Sequence, residues 1–494
     1  MTPRVAIIGA GFGGLCMAIQ LERAGITSYT VFEKAGDLGG TWRDNTYPGA
    51  GCDIPSHLYS FSFEKYASWT RRYPEQPEIL EYLNRCADKY DVRRKIRFGT
   101  EVASAAFDGS RWQVTTAPTT AGAPGPAATS APVSPATESF DVVVAAVGQL
   151  NRPALPDIPE ISTFEGTSFH SARWNHAHDL TGRRVAVIGS GSSAAQFIPR
   201  IAPKVAHLDV YQRTPNWVIP KADATFGPLT RLAFRVVPGL QRAYREWIYR
   251  YAEAVLYSAL ARGWSENLAR RSALGHLRAQ VPDPELRAKL TPDYPLGCKR
   301  VVIDSSFYPA LTRPNVEVVT EKISRIVPAG VETADGELRE ADTIIYATGF
   351  RTTEFLSPIE FTGRGGRTLS EQWRDGAEAY LGIAVPNFPN LFLLYGPNTN
   401  LGHNSIIFML ECQVRHIMSC LPHLTEHGPM EVRPAAMAAW RGRLDATLET
   451  MVWGDGCQSW YQNAAGRVTN NWPGPTPLYR RLTGMPPLPA YRFG

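Results

Sequence analysis

Arg4-Val-Ala-Ile-Ile-Gly9-Ala-Gly11-Phe-Gly-Gly14 opens the chain. Residues 4–8 read as a buried parallel strand, and the apolar run from Gly14 through Leu21 reads as a helix. A Gly-x-Gly-x-x-Gly turn between strand and helix lets backbone N–H groups and the helix dipole hold a pyrophosphate. The pattern returns at Arg184-Val-Ala-Val-Ile-Gly189-Ser-Gly191-Ser-Ser-Ala194, with a helix through Ile201. Two more apolar runs match each other, Asp141 to Gly148 and Asp342 to Gly349, and read as the closing strands of two βαβ units. The expected fold class is therefore α/β, with two dinucleotide-binding, Rossmann-like domains.

One position tells the two sites apart. Glu33 follows Gly9 at the same offset as Arg213 follows Gly189, each at the end of a second strand. A carboxylate there accepts hydrogen bonds from ribose hydroxyls, as FAD and NAD both require. A guanidinium followed by a hydroxyl, Arg213-Thr214, suits a 2′-phosphate, so the second site is expected to take NADP(H).

Working outward, the 494 residues imply two or three domains. Hydrophobic residues are 44% and charged residues 20% of the chain, which excludes wholesale disorder. The 51 Lys+Arg against 46 Asp+Glu leave a net charge of only +5, too little for a dedicated nucleic-acid binder. Residues 226–290 carry 11 Lys/Arg against 5 Asp/Glu and read as a basic helical insert; the other residues then sum to −1. Residues 117–139 are rich in Pro, Ala and Thr and read as a surface loop. Pro153, Pro156 and Pro159 read as a stiff linker. Seven cysteines without C-x-x-C pairs indicate neither a disulfide framework nor a metal site, and suggest a cytoplasmic location. The apolar opening between Arg4 and Glu22 is interrupted by glycines and is too short for a membrane span.

Four stretches together carry a family resemblance: Gly39-Gly-Thr-Trp42-Arg-Asp-Asn-Thr-Tyr47-Pro-Gly49-Ala-Gly-Cys-Asp53, Phe164-Glu-Gly166-Thr-Ser-Phe-His170-Ser-Ala-Arg-Trp174, Cys298-Lys299-Arg300 and Cys457-Gln-Ser-Trp460-Tyr461. On these the chain resembles the type I Baeyer–Villiger monooxygenases of the flavin-containing monooxygenase superfamily. The second stretch fits F-x-G-x-x-x-H-x-x-x-W, with Asn175 following where many members have Pro or Asp. The resemblance implies an NADP domain inserted in a split FAD domain: 1–150 first FAD part, 151–340 NADP part with the insert, 341–494 second FAD part and tail. It also implies an enzyme that uses FAD, NADPH and O₂ to insert an oxygen atom beside a ketone carbonyl through a C4a-peroxyflavin, giving an ester or lactone. The run Gly396 to Ser405 resembles the subgroup acting on aryl or bulky ketones.

Residue by residue, the resemblance assigns catalysis to Arg300, a fixed cation beside the reacting oxygen, and to Asp53, which orients it. It places FAD against Gly9, Gly11, Gly14, Glu33, Gly40, Thr41, Trp42, Asp53, Tyr59 and Val102. NADP falls to Gly189, Gly191, Ser192, Ser193, Arg213, Thr214 and Lys299, with Trp460 contacting NADP or substrate; aromatic packing is the plainer reading of Trp460. His170 and Trp174 are expected to serve structure or gating rather than proton transfer, and no metal is expected. The helix from about His403 to Leu421, capped by Asn404 or Ser405, is expected to point at the flavin.

A flavin monooxygenase oxidising sulfides or amines is the nearest rival, opposed by Trp174 and the Lys299-Arg300 pair. A disulfide oxidoreductase would need a C-x-x-C or C-x-x-x-x-C redox pair, which is lacking. Membrane contact by the aromatic, basic insert is not expected. The oligomeric state stays open.

Overall fold

Short runs of Val, Ile and Ala buried on both faces can pair only as inner parallel strands, because no face is left for water. Val5–Ile8 and Val142–Ala145 are such runs, and every residue in them is buried. A computed structural model describes residues 2–119, 135–454, 459–486 and 488–494. It places these strands in a five-stranded parallel sheet of order 391–393, 142–145, 5–8, 29–32, 96–97. A second parallel sheet has the order 316–319, 207–211, 184–188, 343–346, 167–170. Each sheet centres on the strand before a glycine turn. On one side lies the strand leading to Glu33 or Arg213, on the other the expected closing strand.

The helices after the two turns run Phe12–Arg23 and Ser192–Ile201. The first packs against Ile406–His427, whose Leu410, Val414, Ile417 and Leu421 form a buried stripe at helical spacing. The first sheet thus draws strands from both ends of the chain. The second sheet reaches beyond residue 340, since Thr343–Tyr346 pairs with Arg184–Ile188.

The basic insert is helical, with Pro228–Val236, Leu240–Tyr251 and Glu266–Gln280 as its main helices and a π-helical turn at Ala252–Leu256. Two expectations change. The ends of the segment 117–139 are strand: Trp112–Pro118 pairs antiparallel with Ala136–Phe140, with Trp112, Val114 and Thr116 buried and Gln113, Thr115 and Ala117 half-buried between them. The remainder of that loop, 120–134, lies outside the described residues, as does Cys457 of the fourth motif. Cysteines 16, 52, 86, 412 and 420 are free and buried, but Cys298 is disulfide-bonded, where the cysteine spacing indicated no disulfide framework. No helix among the described residues is long and apolar enough to cross a membrane.

Candidate functional site

Both glycine turns are built alike. Gly9 and Gly189 have φ of +102° and +107°, which a side chain would strain. A Cβ would lie 2.7 Å from the Ala146 carbonyl oxygen at Gly9, and 2.5 Å from that of Ala347 at Gly189. Each closing strand therefore presses its backbone against its turn. Gly14 works differently from its expected cofactor contact. Its Cβ would meet the Gly9 oxygen at 1.8 Å, so it lets helix 12–23 sit on the strand, and it does not line the cavity. At Gly191 a Cβ would meet nothing within 4 Å, so the space above that turn is left for something else.

Glu33 is buried, and its carboxylate accepts hydrogen bonds from the N–H groups of Ala10 and Ala35, both at 2.9 Å. Arg43 Nη1 stands 3.1 Å from Glu33 Oε1. The carboxylate thus braces the first glycine turn as well as edging the cavity. Nothing in local spacing flagged Arg43, because its role arises only when residues 39–44 fold over the turn.

The second site presents cations instead. Burial, and after it the charge of Arg213, lowers the pKa of Lys299. Neither Arg213 nor Lys299 has a carboxylate within 4 Å among the described residues. Two neighbouring cations without a direct ion pair, beside Thr214, Ser192 and Ser193 on the same cavity wall, make an anion site.

The motif 39–53 bridges the two halves. Trp42 Nε1 donates to the Tyr59 hydroxyl at 3.1 Å, and Gln76 donates to the Trp42 carbonyl. Gln196, on the helix after the second turn, accepts from Tyr47 O–H at 2.9 Å and donates to the Gly51 carbonyl at 3.0 Å. A Cβ on Gly49, where φ is +82°, would lie 2.7 Å from the Gln196 carbonyl oxygen. Gln196 escaped the sequence reading because its partners belong to the other half of the molecule, far away along the chain.

Arg300 Nη2 donates to Asp53 Oδ2 at 2.5 Å. The Asp53 charge, against the opposing effect of desolvation, holds the guanidinium above its ordinary pKa, so it stays cationic at any working pH. Tyr395 and Tyr461 lie near this pair, and burial pushes Tyr461 up to about 12. Trp460 leans on Tyr461 with ring centroids 4.4 Å apart, and its carbonyl accepts from Thr352 Oγ1. His170 and Trp174 do not line the cavity. His170 Nδ1 accepts from Ala172 N–H, burial lowers its pKa, and Trp174 packs between Phe169 and Phe197.

One continuous cavity of about 1140 Å³ joins the two turns. This is larger than most small-ligand pockets, as long dinucleotides demand. Its walls include Gly9, Gly11, Gly40, Thr41, Tyr59 and Val102 on one side, Gly189 and Gly191 on the other, and Asp53, Arg300 and Trp460. The carboxylate after the first turn fits FAD; the open space at Gly191 and the cations after the second turn fit NADP. Residues missed from sequence include Tyr395 and Gln149, whose amide donates to the Tyr395 carbonyl at 2.8 Å.

Comparison with known proteins agrees with this geometry. A family described as "Flavin-binding monooxygenase-like" matches residues 2–237. A Baeyer–Villiger monooxygenase of Streptomyces coelicolor is 42% identical, over 99% of this chain and 92% of its own length. Another, from Pseudomonas aeruginosa, is 40% identical over 99% and 91%. Among solved structures, steroid monooxygenase bound to NADP superposes with a TM-score of 0.83 at 31% identity, covering 100% of this chain and 99% of that one. Closed cyclohexanone monooxygenase gives 0.84 at 29%, with the same coverage. OTEMO in complex with FAD and NADP gives 0.85 at 27%, again over 100% and 99%.

Proposed function

This chain belongs to the Baeyer–Villiger monooxygenases, FAD- and NADPH-dependent enzymes that insert oxygen beside a ketone carbonyl, and from that premise we propose how its residues divide the work. The reaction converts ketone, O₂, NADPH and a proton into ester or lactone, NADP⁺ and water. When bound, FAD takes two electrons from NADPH and supplies the activated oxygen.

Gly9, Gly11, Glu33, Gly40, Thr41, Trp42, Tyr59 and Val102 hold FAD; Gly14 supports that site by packing. Gly189, Gly191, Ser192 and Ser193 hold the NADP pyrophosphate, while Arg213, Thr214 and Lys299 hold its 2′-phosphate. The observation that carries the reading is the Arg300–Asp53 pair on the wall of the cavity that joins both turns. Asp53 aims the guanidinium, and Arg300 stabilises negative charge as it develops on the substrate's carbonyl oxygen. A cation that cannot give up its proton is suited to this, because it would not quench an anionic nucleophile. His170 and Trp174 brace the second sheet near the domain junction.

The domains divide as a split FAD part around an NADP part, whose last strand ends at Tyr346. Leu401, Ile406 and Leu410 supply apolar wall, which together with the run Gly396 to Ser405 supports aryl or bulky ketones as the substrate class.

The test is a panel of aryl, cyclic and linear ketones, with sulfides and amines alongside, supplied with NADPH and analysed for products. Ester or lactone from at least one ketone is expected. Sulfoxides or N-oxides alone would overturn the assignment of Arg300.

A further inference from the structure

From the insert, the largely buried carboxylate of Glu253 reaches residues beside the cavity. Glu253 lies in the π-helical turn Ala252–Leu256, a local widening of the kind often kept at functional positions. Its side chain is 13% exposed and is met by donors only. Oε1 accepts from His403 Nε2 at 3.2 Å, Asn404 Nδ2 at 2.6 Å and Thr476 Oγ1 at 2.6 Å; Oε2 accepts from Thr476 N–H at 3.0 Å. Since the Thr476 hydroxyl proton is committed to Glu253, Tyr249 must donate its own to Thr476 Oγ1, 2.8 Å away. Burial alone would raise the Glu253 pKa, but His403, Thr476 and Asn404 outweigh it and leave the group below its ordinary value.

What these donors control is the cavity wall. Asn404 gives its amide N–H to Glu253 and turns its carbonyl to accept from Ser405 N–H at 2.7 Å. Ser405 Oγ then accepts from Ile407 N–H at 3.3 Å, capping helix 406–427. Asn404, Ile406 and Leu410 all line the cavity.

We propose that Glu253 is a positioning residue of the oxidation site: it fixes the Asn404 amide, and through it the capped start of helix 406–427, against the cofactor cavity. The proposal rests on the reading of that cavity as the FAD and NADP site. Only an acceptor on both oxygens satisfies the four donors. Glutamine keeps the shape but would turn an NH₂ toward at least one N–H or O–H, so Glu253→Gln releases the network.

The experiment compares wild-type holoenzyme with Glu253→Gln and with Thr476→Val, which removes one donor away from the cavity. Flavin content, flavin absorption spectrum, flavin midpoint potential, and the share of consumed NADPH appearing as hydrogen peroxide are read for each. Glu253→Gln is expected to bind FAD, to shift the spectrum and potential, and to lower product formation about ten- to a hundredfold while peroxide rises. Thr476→Val should move the same readings in the same direction by less. A Glu253→Gln enzyme with wild-type spectrum, potential and peroxide share, even with a lowered melting temperature, overturns the proposal. Should that variant not fold, Thr476→Val decides by the same readings. Wild-type protein that binds no flavin would instead overturn the reading of the cavity.

Discussion

Arg300 donates to Asp53 at 2.5 Å across 247 residues of sequence. A carboxylate after the first glycine turn and a guanidinium after the helical insert meet only because the two halves close on one cavity. Separating their roles is the first prediction. Arg300→Ala should abolish ester or lactone formation, and Arg300→Lys should leave it down by roughly a hundredfold, because an ammonium cannot copy the planar fork. Asp53→Asn should keep the cation but lose its aim, lowering product by about tenfold to a hundredfold. Measured kcat for product, alongside flavin content, checks this. A fully active Arg300→Ala enzyme would remove the residue from catalysis.

The cations of the second site predict coenzyme choice. Arg213→Ala or Lys299→Ala should each raise the KM for NADPH by roughly ten- to a hundredfold, the worth of one charge-assisted hydrogen bond. The KM for NADH should stay nearly constant. Equal losses for both coenzymes would show that the two side chains do not read the 2′-phosphate.

Glycines in the two turns should fail in different ways. Gly14→Ala places a methyl 1.8 Å from the Gly9 oxygen, so helix and strand must separate. It should lower the melting temperature and reduce FAD content. Gly191→Ala points its methyl into open space, so the melting temperature should hold while NADPH affinity falls. Thermal scans and coenzyme titration of both variants distinguish the cases; a strongly destabilised Gly191→Ala would contradict the geometry.

Acid should destabilise the fold through two buried histidines. Burial pushes His57 and His416 down to about 4, and in the unfolded chain each returns to about 6.5. The unfolded state therefore binds more protons below that value, and stability rises with pH across this window. The contribution is complete above about pH 6.5 and is lost as pH falls from there toward 4, on the order of 3 kcal/mol per group. Melting temperature against pH should show the slope. His416→Gln should flatten it, and an unchanged slope in that variant would assign the acid sensitivity elsewhere.

Most of the cofactor and catalytic residues expected from the sequence line the cavity, because glycine turns, strand ends and the discriminating residues Glu33 and Arg213 act through contiguous backbone. Their side-chain partners were not. Arg43 on Glu33, Gln196 on Tyr47 and Gly51, and Glu253 on His403, Asn404 and Thr476 have no spacing rule, since each pair is joined by folding alone. Gly14 shows the reverse case, a motif residue whose place in the pattern is set by packing. The pairing of Trp112–Pro118 with Ala136–Phe140 was likewise hidden, because a Pro- and Ala-rich segment between the strands masks the alternation at its ends.

By itself the sequence determined two nucleotide sites and their identities, because an apolar strand, a glycine turn and a charge at the end of the next strand are local, periodic signals. Only the tertiary structure decided that both turns open on one cavity, that Asp53 and Arg300 meet on its wall, and that Glu253 of the insert accepts a hydrogen bond from Asn404 on that wall. The reason is physical. Backbone geometry is dictated by neighbours in sequence, whereas a buried charge must find its partner wherever the fold brings one.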